Sequence, residues 1–337
     1  MLQFPPDVET VRASLATTFT WKYESTDPGL RRLYGNAKRD QWDGATALDW
    51  TCSVEPEAEN LPDSQIAIYG SPLWDRMTAR ERARLRHESM AWILSQFLHG
   101  EQGALLATAQ LVDTVPVMDA KLYAATQVMD EARHVEVYDH YLRDKLEKVY
   151  PINPHLKTLL DQILSDARWD MKYLGMQILV EGLALAAFGF IRAYANEPLI
   201  RDLTYHVMRD EARHVAFGVL SLRDFYRAHF TAGEIRERQE FTYEACVLMR
   251  DRFLARDVWE RVGLPADECC QYALASPSMI EFRRMLFSKI VPNVRKLGLL
   301  DGWLRARFGE LGILQYEGLE AADETVFEPE PVPALAS

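Results

Sequence analysis

From residue 78 onward, apolar side chains recur at three- and four-residue intervals, the period of helices that bury one face. Thr78-Ala-Arg-Glu81 has the form of a capping box, so a helix is expected to open there and run to about Thr114, ending at Pro116. The same pattern predicts helices over Met118 to about Val149, His155 to Asn196, and Leu199 to Phe230; Pro151 and Pro198 stop the first two of these. A second capping box, Thr231-Ala-Gly-Glu234, opens a fifth helix reaching about Arg256. No segment alternates apolar and polar positions as a half-buried strand would. Helices this long, joined by loops this short, pack as antiparallel neighbours, so the expected fold is an all-α bundle.

The flanks divide the rest. Residues 1–77 are irregular in pattern but hold four of the eight tryptophans (Trp21, Trp42, Trp50, Trp74), so an ordered N-terminal wrap with short helices is expected. The bundle occupies 78–256. Residues 257–316 read as a C-terminal cap of shorter helices with an apolar face (Met279, Phe282, Met285, Leu286, Ile290). Residues 317–337 read as an acidic, disordered tail.

Charge narrows the function classes. The chain has 337 residues and a net charge of −12, which argues against nucleic acid or an anionic membrane as a partner. Half of that charge lies in the tail, where Glu317, Glu320, Asp323, Glu324, Glu328 and Glu330 occur with no Lys or Arg among them. This leaves the tail as a candidate docking element. Four cysteines at irregular spacing form no C-x-x-C pattern and read as free thiols of a reducing compartment. Met1-Leu-Gln-Phe-Pro-Pro-Asp7 lacks a basic stretch and an apolar run, and the most apolar window, Leu179 to Ile191, contains Glu181 and is short for a bilayer. A cytoplasmic protein with no membrane contact is expected.

The chemistry lies in a repeat. Asp130-Glu131-Ala132-Arg133-His134 returns as Asp210-Glu211-Ala212-Arg213-His214, and the same 80-residue offset relates Glu101 to Glu181. Each helix pair thus offers one lone Glu and one Glu-x-x-His. Residues three apart share a helix face, so Glu131 with His134, and Glu211 with His214, can each grip one ion. Glu101 and Glu181 interrupt apolar stripes, where a carboxylate is costly unless paired or metal-bound. Four converging carboxylates need cations, and mixed carboxylate and imidazole ligands suit iron or manganese better than zinc or calcium. One ion would lie with Glu101, Glu131 and His134 and the other with Glu181, Glu211 and His214. Which glutamates bridge stays open. Asp130 and Asp210 can each reach the histidine of the opposite helix, with Arg133 and Arg213 balancing them.

This ligand set resembles the ferritin-like non-haem di-iron carboxylate superfamily: multicomponent monooxygenase hydroxylases, ribonucleotide reductase small subunits and related oxygenases. Leu98-His-Gly-Glu101-Gln-Gly-Ala104 with Asp-Glu-Ala-Arg-His134 is closest to the monooxygenase pattern, and Leu33 to Trp42 resembles the helix that precedes the core there. The resemblance covers roughly residues 30–255 and implies a ferritin-like four-helix bundle with two Fe (or Mn) that activates O2. Glu101 and Glu181 are then catalytic candidates as well as ligands. It further implies oxygenation or desaturation of a mostly apolar small molecule. Electrons would come from a separate ferredoxin or reductase, since the chain has no flavin, nicotinamide or Fe–S motif. A homodimer is expected.

Two positions depart from the relatives, and a third matches one group of them. Leu185 stands where the monooxygenases carry Thr. Val207, with His206 beside it, stands where arylamine N-oxygenases add a third His, which weakens that reading. Tyr138 stands where ribonucleotide reductase subunits carry the radical Tyr, so a radical-generating subunit is the alternative; packing against His134 is the plainer role. Ferroxidase or storage activity is a second alternative, which the length beyond a minimal bundle disfavours. The other histidines, His87, His99, His140, His155, His206 and His229, have no mutual ligand spacing. Trp92 and Trp169 read as core. Gly103, Ala104, Ala107, Gly182, Ala184 and Ala187 allow either tight helix packing or a cavity. A substrate pocket there would be lined by Ala104, Leu105, Thr108, Ala184, Leu185 and Phe188.

Overall fold

The computed structural model describes residues 8–56 and 58–323, and among these no strand occurs. Four long helical segments build the bundle. Helix α4 (Ala79–Thr114) opens at the expected capping box: Thr78 N–H donates to Glu81 Oε2 and Glu81 N–H to Thr78 Oγ1. It ends at Val115, whose extended backbone is what a following proline requires. Helix α5 (Met118–His140) returns alongside it and runs on into a π-helical turn, Tyr141–Lys145. Helix α8 (Glu181–Tyr194) and α9 (Pro198–His229) form the second pair. Glu197 caps α9, accepting the amides of Leu199 and Ile200 at 2.7 Å and the Tyr141 hydroxyl at 2.8 Å. Helix α10 (Ala232–Arg252) follows the second capping box, as expected.

One expected helix is two. α6 (Pro154–Ser165) stops at Asp166, whose carboxylate accepts the Arg168 amide and folds the chain into a turn. The chain restarts as α7 (Trp169–Tyr173), passes through a π-helical stretch, Leu174–Val180, and enters α8 without a break. The joined helix, Trp169–Tyr194, is 26 residues long, longer than the apolar window suggests and enough to cross a bilayer. Its most apolar window is 83 % buried within the protein, so other helices cover this face.

The flanks place the bundle. Helix α1 (Pro28–Arg39), capped by Asp27, lies across α5 and α9; the short α2 (Gly44–Ala47) and α3 (Pro72–Asp75) follow. Trp74 is buried, and Trp50 stacks on His140 at 3.8 Å. Trp21 departs from the expected wrap: it is 75 % exposed and stacks on Phe19, itself 73 % exposed. Five short helices close the C-terminal side: α11 (Arg256–Val262), α12 (Ala266–Ala275), α13 (Pro277–Met285), α14 (Val291–Lys296) and α15 (Gly302–Glu310).

The tail does not begin free of the fold at 317. Glu317 pairs with Arg305 at 2.7 Å, Ala321 is fully buried, and the Asp323 carboxylate, 1 % exposed, pairs with Arg223 at 2.6 Å. Ion pairs thus tether two of the six tail acids to the body. The remainder of the expected disordered tail, 324–337, lies outside the described residues. All four cysteines are free.

Candidate metal centre

The six expected ligands meet at the centre of the bundle, each at most 6 % exposed. α4 brings Glu101, α5 brings Glu131 and His134, α8 brings Glu181 from its first turn, and α9 brings Glu211 and His214. They form two overlapping groups whose donor atoms lie within 4.8 Å of one another: Glu101, Glu131, His134 and Glu211, and Glu131, Glu181 and His214.

The distances set two of the glutamates apart from the others. His134 Nδ1 lies 3.2 Å from Glu101, 3.4 Å from Glu131 and 3.3 Å from Glu211. His214 Nδ1 lies 3.1 Å from Glu131 and 3.5 Å from Glu211. Glu131 and Glu211 therefore stand between both imidazoles, while Glu101 and Glu181 flank the pair on either side.

The π-helical stretch before Glu181 matters for its aim. A π-turn spends an extra residue per turn and rotates the residues after it, and such turns often occur at functional sites. Leu174 and Ile178 therefore do not share the face of Glu181 that a regular helical count assigns them.

The surrounding shell crosses between helices as expected. His134 Nε2 meets Asp210 Oδ2 at 3.1 Å, and His214 Nε2 meets Asp130 Oδ2 at 3.3 Å. Arg133 binds both aspartates, at 2.5 Å to Asp130 and 2.9 Å to Asp210; Arg213 binds Asp210 and lies 3.5 Å from Asp130. Each aspartate so turns its histidine's Nδ1 toward the centre.

Three residues make polar contacts to the centre that the sequence did not reveal. Gln41 Nε2 donates to Asp130 at 2.9 Å, Trp42 Nε1 donates to Asp210 at 2.8 Å, and Gln127 Nε2 donates to Glu131 and Glu181, both at 2.9 Å. The first two follow α1 in the segment resembling the pre-core helix. Gln127 carried a usable signal: it sits one turn before Glu131, on the same face.

The residues present fit a pair of divalent ions. One or both oxygens of Glu131, Glu181 and Glu211 are buried without a hydrogen-bond donor. Six carboxylates face two guanidinium groups, leaving four negative charges that two divalent cations would neutralise. With no ions, burial and the neighbouring Glu211 carboxylate push both Glu101 and Glu181 well above the usual carboxylate range. Burial also opposes ionisation of Glu131, but the two imidazoles outweigh it and hold that carboxyl down. Burial opposes charging both histidines as well, yet the carboxylates around them raise both.

Tyr138 is fully buried, its ring 6.0 Å from both Phe97 and Phe188, and its hydroxyl has no partner. Val207 is buried at the position of the missing third histidine, while the His206 ring packs at a tilt on Trp42, with centroids 4.8 Å apart. The six expected pocket residues are mostly buried. Ala104, Thr108, Leu185 and Phe188 are buried, Leu105 and Ala184 partly so, and Thr108 Oγ1 accepts from Gln177 at 3.2 Å. Two apolar cavities lie elsewhere in the molecule, and none of the six lines either of them. Gly103 is tight packing too, since a Cβ there would come within 2.6 Å of Leu160.

An all-α bundle with two crossed Glu/His sets buried in its core defines a ferritin-like di-metal oxidoreductase. The profile of the p-aminobenzoate N-oxygenase family, AurF, matches residues 24–298, and the chain belongs to that family. Among solved structures, a point variant of the R2-like ligand-binding oxidase with an anaerobically reconstituted Mn/Fe cofactor shares the fold: TM-score 0.50, 16 % identity, covering 80 % of this chain and 93 % of that one. The same oxidase with an aerobically reconstituted metal cofactor after photoconversion matches with TM-score 0.44 and 15 % identity, over 87 % of this chain and 93 % of that one. No individual curated protein sequence matches the chain.

Proposed function

We propose that this di-metal oxygenase N-oxygenates a small, mostly apolar amine, with electrons delivered by a separate reductase or ferredoxin. The match to the N-oxygenase profile over residues 24–298 carries this reading, despite the valine at 207. Two iron ions (or a manganese–iron pair) held by the six ligands would supply the redox chemistry that reduces O2. The chain's own residues have definable tasks. Glu131 and Glu211, near both imidazoles, would help hold the ions, and Asp130 and Asp210 hold the imidazoles in register. Gln127 orients Glu131 and Glu181, and burial of all six ligands keeps bulk water from the site.

An apolar substrate is supported by a cavity of about 100 Å³ lined by Trp92, Ile93, Phe190, Phe253 and Phe282. A homodimer is supported by Leu106 and Met129, 49 % and 60 % exposed on the adjacent α4 and α5. We place the protein in the cytoplasm.

The test is anaerobic loading with ferrous iron, chemical reduction, then O2 in the presence of aniline, p-aminobenzoate and toluene. An amine product heavier by oxygen on nitrogen is expected by mass spectrometry. Oxygen uptake that yields only ring- or methyl-hydroxylated products would overturn the reading.

Tyr138 favours a second reading, radical generation, because it is buried beside the ligands with its hydroxyl unpaired. A tyrosyl-radical spectrum after O2 exposure that is lost in Tyr138→Phe would establish it, and its absence from the wild type would end it.

A further inference from the structure

A further cavity, of about 110 Å³, lies in the C-terminal cap between α10, α13 and the turn that follows α15. Three guanidinium groups line it: Arg250 from α10, and Arg283 and Arg284 from α13. Phe287, Leu311 and Ile313 supply apolar walls, and among the described residues no Asp or Glu lines it. Met279 and Phe282 of the same α13 line the apolar cavity of about 100 Å³, so one helix serves two distinct cavities.

The three arginines are unequally matched. Arg250 Nε pairs with Asp251 at 2.6 Å, and Glu281 stands 4.0 Å from Arg284. Arg283, only 6 % exposed, forms no ion pair among the described residues. Its Nη1 and Nη2 donate to the Ala273 and Leu274 carbonyls at 2.8 and 3.2 Å, at the end of α12, where a cation suits the helix dipole. That contact leaves other N–H donors of the guanidinium unused. Its Nε has no partner and keeps solvent-accessible surface. Arg284 donates no hydrogen bond among the described residues, and its side chain is 40 % exposed. Gly312, at φ +70°, lets Arg284 lie against the backbone, since a Cβ there would come within 2.8 Å of Arg284 Nε. Burial first, and the Arg250 charge second, pull Arg283 below the usual guanidinium range.

These features select a ligand class. Three cations with two carboxylates beside them leave one positive charge unmatched, and a cation without a partner is costly where water is scarce. Guanidinium groups take a carboxylate through paired N–H donors. The apolar walls favour a ligand whose remainder is apolar. A single unmatched charge favours a monoanion, because a dianion would also meet Asp251 and Glu281.

We propose that this cavity binds a small apolar monocarboxylate, with the carboxylate at Arg283 and Arg284 and the apolar part against Phe287 and Ile313. The residues that line it include none of the six metal ligands, so the site is independent of the reaction at the metals.

The test is isothermal calorimetry of the metal-loaded full chain, kept anaerobic in low-chloride buffer, with benzoate, benzyl alcohol and sulfate. Saturable binding of benzoate is expected. Arg284→Gln, at a part-exposed side chain, is expected to weaken benzoate about tenfold, and Arg283→Met by at least as much. Arg284→Gln covers the case in which Arg283→Met, having lost the α12 contact, fails to fold. Benzyl alcohol and sulfate are each expected to bind at least about tenfold more weakly than benzoate. Benzoate binding that is unchanged in Arg284→Gln would overturn the proposal and would indicate binding elsewhere, including at the metals. Benzyl alcohol or sulfate binding as tightly as benzoate, or no benzoate binding at all, would overturn it as well.

Discussion

The two helix pairs carry the same three ligands 80 residues apart, yet they hold them differently. In the first pair, Glu101 sits in uninterrupted helix and faces His134 at 3.2 Å. In the second, Glu181 follows a π-helical turn and is fixed from across the bundle by Gln127 of the first pair. The repeat partner of Gln127 is Val207, which cannot donate. Glu131 therefore receives an amide hydrogen bond, while both oxygens of Glu211 have none. A duplicated ligand set has been given unequal surroundings, the kind of difference that lets two metal positions take different roles.

The largest effect should come from breaking what the halves share. Glu211→Ala removes a carboxylate that stands between both imidazoles, so loss of both metal ions is expected by elemental analysis. Glu101→Ala removes a flanking ligand and is expected to leave the position beside His214 filled. Equal losses from the two variants would contradict the bridging assignment.

Protons compete next. In the metal-free centre Glu101 and Glu181 are raised by burial and by neighbouring carboxylates, and both imidazoles are raised by the carboxylates around them. These groups keep their protons to higher pH than the free side chains would, and metal binding must displace them. Metal affinity is therefore expected to climb as pH rises from the acidic side, with proton release measurable by calorimetry in buffers of different ionisation enthalpy. A pH-independent affinity would show that the ligands are already deprotonated.

The asymmetry itself is open to test. Gln127→Leu is expected to weaken metal binding by about 10- to 100-fold, the usual cost of removing a partner that orients a ligand. Val207→Leu, its repeat counterpart, should change it little. A comparable loss in both would mean that packing, and not the Gln127 hydrogen bonds, sets the difference.

The smallest contrast concerns stability. A Cβ on Gly218 would come within 2.8 Å of Gln177 Cβ, beside the π-turn, whereas one on Gly103 meets the ends of the Leu160 side chain. Both alanine variants should lose stability, by about 1–3 kcal/mol, with Gly218→Ala the costlier because a Cβ atom cannot swing aside. Thermal melts of the metal-free proteins would rank them.

Much of this architecture was legible in the chain. The capping boxes at Thr78 and Thr231 and the prolines at 116 and 198 set helix ends to within a few residues, because caps and proline act locally. The ligands were legible because a carboxylate on an apolar helix face is costly, and one repeated at a fixed offset beside Glu-x-x-His calls for a cation. The break at Asp166, the π-turn before Glu181 and the packing of Glu317 to Asp323 were not. Each depends on contacts with residues distant in sequence or on a hydrogen-bond shift that leaves no pattern in the sequence.

By itself, then, the sequence determined the helical period, the six candidate ligands and the crossed Asp–His pairing, since these follow from spacing along a helix. Only the tertiary structure decided that Glu131 and Glu211 stand near both imidazoles, that Gln127 orients two glutamates, and how deeply the residues expected to line a pocket are buried. The physical reason is that bridging, hydrogen-bond choice and cavity shape are properties of atoms brought together from four helices. Distances of a few tenths of an ångström between them are set by how those helices pack.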